Sequence, residues 1–259
     1  MAKFSAFFSS SIGKKLLMAL TGLFLCSFLV IHLTGNLQLL KHDGGLAFNT
    51  YAVFMTTNPL IKTVSWGLYL SILFHAFLGL WLAYQNKMAR PVGYAKHSGN
   101  APWYSRSMAI LGTLLLLFIV GHMADFWFEY KFGKVPYTEY HILVTNPDAV
   151  SSKPYTGHIE GKMAEYTTAD NQTRVVVVKD LYVEVAESFR EWWLVALYVL
   201  AMGVLAFHLI HGFKSAFQSM GLNHPKYNGI IRFIGIGVFG IAIPIAFAIM
   251  PLYFFFFHN

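Results

Sequence analysis

Cysteine and charge are what this chain has least of. Its one cysteine, Cys26, lies inside an apolar run. One thiol excludes an internal disulfide, a multi-cysteine zinc site and a cysteine-ligated iron–sulfur cluster, so any bound metal must be held by other ligands. No CxxCH segment is present, which excludes covalent attachment of a c-type haem, and there is no glycine-rich dinucleotide fingerprint. Charged residues make up 12% of the 259, whereas a soluble domain of this length carries roughly a quarter. That scarcity excludes an ordinary water-facing surface. The net charge of +7 could suggest nucleic acid, but the basic residues flank apolar runs, which is a pattern of membrane orientation. A basic stretch, Met1 to Lys15, precedes the first apolar run. No small-residue cleavage site follows that run, so it reads as a retained helix.

What the chain does have is apolar length. It is 56% hydrophobic and 17% aromatic, and five stretches reach the roughly 20 residues that a span needs. They are about 16–40, 63–85, 107–129, 191–218 and 229–257. The expected fold is an all-α integral membrane bundle of five transmembrane helices in a single membrane domain, 1–259. The second starts after the Asn58–Pro59 turn signal, the fourth ends near Gly221 with Pro225 beyond it, and Pro244 and Pro251 should kink or fray the fifth. Lys3, Lys14 and Lys15 precede the first span; Lys87, Arg90, Lys96 and Arg106 separate the second from the third; Lys214, Lys226 and Arg232 lie around the fourth-to-fifth turn. All fall on one side if every helix crosses, which makes that side, with the N-terminus, cytoplasmic. The 131–187 segment is then an extracytoplasmic insertion. Its alternation of polar and β-branched residues (YTEYHILV, TRVVVVKDLYVEV) suggests a small hairpin cap.

Ionisable groups inside a span are expensive and usually functional. His32, His75, His122, His208 and His211 all fall within the predicted helices. A single one could be a hydrogen-bonded packing residue; four helices each carrying one is harder to explain that way. Bis-histidine haem needs histidines from separate helices without cysteine or an acidic partner. Zinc would need three or four converging ligands, and a proton relay would usually include Asp or Glu. Depth suggests the pairing. His32 and His122 lie 17 and 16 residues beyond Lys15 and Arg106, roughly 25 Å at 1.5 Å per residue. His75 and His208 each lie 12 residues before Lys87 and Met220, roughly 18 Å. These depths favour, without forcing, an outer haem on His32 and His122 and an inner haem on His75 and His208. His208 is favoured over His211 because a glycine one turn past a ligand lets a porphyrin lie against the backbone. Gly79 follows His75 and Gly212 follows His208 in this way, whereas Ser215 follows His211 with Lys214 beside it. His211 remains the alternative, or a contact to a haem propionate.

The segments VIHLTGNL (30–37), GGLAFNTYAVFM (44–55), LFHAFLGLWLAY (73–84), GHMADFW (121–127) and AFHLIHGFKSAFQSMG (206–221) resemble a known family. It is the di-haem cytochrome b anchor of succinate:quinone oxidoreductases, the succinate dehydrogenases and fumarate reductases, in the branch where one five-helix polypeptide carries both haems. The resemblance covers the first four helices and the first connection; the 131–187 segment has no obvious counterpart. It implies that His32, His75, His122 and His208 ligate two haem b, first helix with third and second with fourth. It implies a flavoprotein and an iron–sulfur subunit docked on the cytoplasmic face of a bacterial inner membrane, and a membrane quinone, menaquinone, as substrate. The anchor would transfer electrons and leave the dicarboxylate step to the flavin subunit. Near the outer haem, Asn36, Gln38, His42 and Asp125 are quinone-site candidates. One departure stands out: some members place a glutamate of a transmembrane proton path two residues before the fourth ligand, where this chain has Ala206. Two other classes stay open, a di-haem b anchor of hydrogenase or formate dehydrogenase type and a haem-free transporter.

Overall fold

A computed structural model of the chain describes residues 6, 9–90, 92 and 102–258. Lys3 and Lys96 lie outside the described residues. The fold is 71% helical, and five helices are long and apolar enough to cross a membrane: Ser11–Leu40, Pro59–Met88, Met108–Phe132, Trp192–Ser219 and Pro225–Phe257. The protein is by this measure a multi-pass membrane protein.

Helix α1 (Ser11–Asn36) ends in a 3-10 turn, Leu37–Leu40, and α2 (Leu46–Thr57) follows. Helix α3 (Pro59–Met88) begins at the proline itself. The Asn58 side-chain oxygen accepts from the amides of Leu60 at 3.0 Å and Ile61 at 3.3 Å. Asn58–Pro59 is thus the N-cap and first residue of the span, because proline has no amide to leave unpaired at that position. A short α4 (Trp103–Arg106) precedes the third span. That span runs through α5 (Met108–His122), a π-helical stretch (Met123–Phe128) and α6 (Glu129–Phe132). After α7 (Leu181–Ser188) comes α8 (Trp192–Ser219). Gly221, at φ +74°, closes α8, and the Leu222 amide donates back to the Phe217 carbonyl at 2.9 Å. This left-handed close is one only glycine adopts cheaply. The fifth span joins α9 (Pro225–Arg232) to α10 (Ile243–Phe257) through a π-helical stretch, Phe233–Ala242. Pro251 sits inside α10 without ending it, and the wider π turns stand immediately before Pro244.

The segment after the third span forms a four-stranded antiparallel sheet. Its strands are β1 (Tyr137–Leu143), β2 (Asn146–Tyr155), β3 (Met163–Thr167) and β4 (Thr173–Lys179), in the order β2-β1-β4-β3. Two hairpins therefore join through β1 and β4, a larger structure than the single hairpin read from the sequence. The four-valine run Val175–Val178 explains why: both faces of β4 are covered, with at most 1% of each valine exposed. One face packs Val176, Val178, Tyr140 and Ile142 against Val53 of α2.

The chain divides into two compact units. The first comprises Met1–Ile31, Trp66–Ile119 and Tyr198–Ala248; it is helical and contains His75 and His208. The second comprises His32–Ser65, Val120–Leu197 and Ile249–Asn259; it contains the sheet, α2, α7, His32 and His122. A buried polar knot closes the second unit. Asn49, fully buried on α2, donates to Asp180 Oδ1 at 2.7 Å and to the Tyr140 hydroxyl at 3.1 Å, and accepts from the Tyr182 amide at 3.0 Å. Tyr140 in turn donates to the Gly44 carbonyl at 2.9 Å, and Asp180 caps α7 at the Val183 amide at 3.1 Å. Gly45, at φ +91°, has the Tyr182 ring where a side chain would sit, so this approach requires glycine.

Candidate functional site

Each unit brings two histidines together from two different spans. In the first, His75 of α3 and His208 of α8 face each other with ring centroids 6.3 Å apart and planes at 64°. In the second, His32 of α1 and His122 at the end of α5 stand 5.7 Å apart at 80°. Two imidazoles sharing one metal ion, with a metal–nitrogen bond of about 2 Å each, have centroids about 6 Å apart. Both pairs stand at that separation. His211 is half-buried one turn along α8 and pairs with no other histidine ring among the described residues.

The pairs differ in what holds them. In the first unit, Thr21 of α1 donates its hydroxyl to the Leu17 carbonyl at 2.8 Å and stands 3.0 Å from the His75 Nδ1, within hydrogen-bond distance. That contact ties the His75 Nδ1 to α1 and leaves Nε2 outside this bond. Gly22, the next residue of α1, lets the His75 ring close in: a methyl there would meet its Cε1 at 3.3 Å. Opposite, the His208 Cε1 packs beside Gly112 of α5, where a methyl would meet it at 3.7 Å, an ordinary van der Waals contact. In the second unit, Asn36 donates its amide to the His32 carbonyl at 2.8 Å and stands 3.4 Å from the His32 Nδ1. This anchors the last turn of α1 beside the ring.

Three observations bear on whether haem fits these residues. The His208 Nδ1 is buried and has no hydrogen-bond partner, a state that costs about 1–3 kcal/mol unless another group satisfies it. Gly212, one turn beyond, faces open space, which is what a flat macrocycle against the helix requires. And no group of three or more His, Cys, Asp or Glu placed for one metal ion occurs among the described residues. Two protein nitrogens per site are too few for a zinc centre and the right number for the two axial positions of haem iron. The donor set fits.

The quinone-site candidates all fall in the second unit, but apart from one another in role. Asn36 belongs to the His32 anchor. Gln38 is half-buried in the 3-10 turn, and Asp125 is half-buried in the π-helical stretch three residues beyond His122. His42 lines a cavity of about 410 Å³ with Lys41, Asp43, Leu46, Pro147 and Asp148. In that cavity Asp43 is already engaged, accepting from the amides of Gly45 at 3.0 Å and Ala47 at 2.9 Å. Cys26 is free and buried.

Sequence reasoning missed Thr21 and Gly22. A threonine in an apolar span usually bonds its own preceding turn, as Thr21 also does, so nothing in the sequence marks its second partner on another helix. No protein-family model, no curated protein and no solved structure matches this chain.

Proposed function

We propose that this chain is the di-haem cytochrome b membrane anchor of a succinate:quinone oxidoreductase, in a bacterial cytoplasmic membrane with its N-terminus inside. The observation that carries the reading is that four spans bring four histidines into two facing pairs at 6.3 and 5.7 Å. His75 and His208 would hold one haem b, and His32 and His122 the other. When bound, haem supplies one-electron transfer between the soluble redox partner and quinone in the membrane.

The chain's own residues supply the rest. Thr21 would help orient the His75 ring, glycines at 22 and 212 would leave the ring and macrocycle faces clear, and the apolar spans exclude water. Charge distribution supports one docking side. The N-terminus and the ends of the spans facing it carry ten of the nineteen basic residues and none of the twelve acidic ones. A surface of one sign attracts complementary soluble subunits, here a flavoprotein and an iron–sulfur protein. Menaquinone is the proposed membrane substrate.

The experiment is affinity purification of the tagged full chain from its native membrane, followed by an optical spectrum and assays with succinate and fumarate. The reading expects b-type bands, a flavin-bearing and an iron–sulfur polypeptide, and electron exchange between succinate and a quinone analogue. A hydrogenase or formate dehydrogenase partner, or a spectrum without haem, would overturn it.

A further inference from the structure

Four lysines meet in the second unit where the sheet approaches the ends of two spans. Lys162, before β3, donates to the Thr56 hydroxyl at 2.9 Å and stands 4.5 Å above the Tyr130 ring. Lys179, at the end of β4, donates to the Tyr130 carbonyl at 2.7 Å and stands 5.3 Å from the same ring. Lys62 of α3 and Lys131 of α6 are near enough to act electrostatically on Lys162. Neither Lys162 nor Lys179 forms an ion pair among the described residues; Glu129 and Glu184 act on Lys179 only at longer range.

We propose that this cluster seats the phosphate group of an anionic phospholipid at the sheet end of the second and third spans.

Two independent features point to a ligand. Tyr130, only 4% exposed, places its hydroxyl beside Thr56, yet that oxygen is buried without a hydrogen-bond partner. And two half-buried ammonium groups each retain two of their three donors after the bonds above, facing no carboxylate at pairing distance. Burial and the three neighbouring lysines push the Lys162 pKa down to about 8, the mark of a cationic cluster short of a counter-charge. The surroundings select lipid over free phosphate. Lys131 lies over Trp127 at 4.9 Å and Phe132 at 5.5 Å, as interfacial residues do when the stem stays apolar and the charge reaches the headgroups. Phe128, Phe132 and Leu60 are largely exposed on the adjoining span ends, where acyl chains would lie. Lysines next to a span end are a general means of holding anionic headgroups.

The test is native mass spectrometry of the detergent-purified full chain, titrated with phosphatidylglycerol, phosphatidylcholine or inorganic phosphate. Wild type should retain phosphatidylglycerol roughly tenfold better than phosphatidylcholine, and millimolar phosphate should not displace it. Lys162→Gln with Lys179→Gln should remove that preference; Lys162→Arg with Lys179→Arg should keep it, as should the charge-matched control Lys41→Gln with Lys153→Gln. Wild type without a preference, a glutamine variant that keeps it, or a control that loses it overturns the proposal. Displacement of the lipid by phosphate at equal concentration overturns the lipid source.

Discussion

His75 and His32 occupy matching places in their pairs, yet the first is gripped by another helix and the second by its own. Thr21 reaches across from α1 to the His75 Nδ1, while Asn36 sits four residues beyond His32 on the same helix and bonds its carbonyl. The partners differ too: the His208 Nδ1 has no hydrogen bond, whereas the His122 ring stacks edge-on with Phe126 at 5.5 Å. An axial imidazole is tuned through the nitrogen that does not bind the metal. If the pairs hold haem as proposed, these different surroundings would tune the two sites differently, and the two haems need not share a potential.

The sharpest way to break this comparison is to remove one ligand at a time. His75→Ala or His208→Ala should abolish one haem and leave the other, and His32→Ala or His122→Ala should do the reverse. His211→Ala should leave both. Haem content and the spectrum of each variant decide it; loss of both haems from a single substitution would show that the sites are not separate, and loss on His211→Ala would reassign the ligand.

A smaller effect separates the sheet from the first pair. Asn49→Ala leaves Asp180 and the Tyr182 amide without their buried partner, which should ease local opening by about 2–3 kcal/mol. Hydrogen exchange at the amides of Tyr140 and Val176 should accelerate, while the absorbance of the haem on His75 and His208 stays unchanged. Unaltered exchange would remove the knot from the account of why the second unit holds together.

Thr21→Val should shift the midpoint potential of one haem only, and Thr21→Ser should restore it. A shift of both, or of neither, would count against Thr21 as the group that orients His75.

The smallest effect is on pH. Lys162 has a folded-state pKa lowered to about 8 from 10.5, and Lys179 is lowered as well. The unfolded chain then binds more protons than the folded one between those values, so stability should rise as pH increases from about 8 toward 10. Glutamine at both positions should flatten that slope, read from melting temperature in detergent.

The five spans and the histidine on each of four were legible because twenty apolar residues and an ionisable group within them are local signals. The limits of the second span were not, since Asn58–Pro59 serves equally well as a turn and as a cap. The sheet was legible only as alternation. Its second hairpin and its tie to α2 depend on Asn49, whose partners lie 91 and 131 residues away, and no local pattern reports such a bond. Thr21 was invisible for the same reason, 54 residues from the ring it orients.

The most direct measurement is haem stoichiometry. The pyridine haemochrome assay on the fully loaded, purified chain should give two non-covalent haem b per polypeptide, because two histidine pairs stand at axial-ligand separation and no CxxCH segment exists. One haem per chain, or none, would contradict the account.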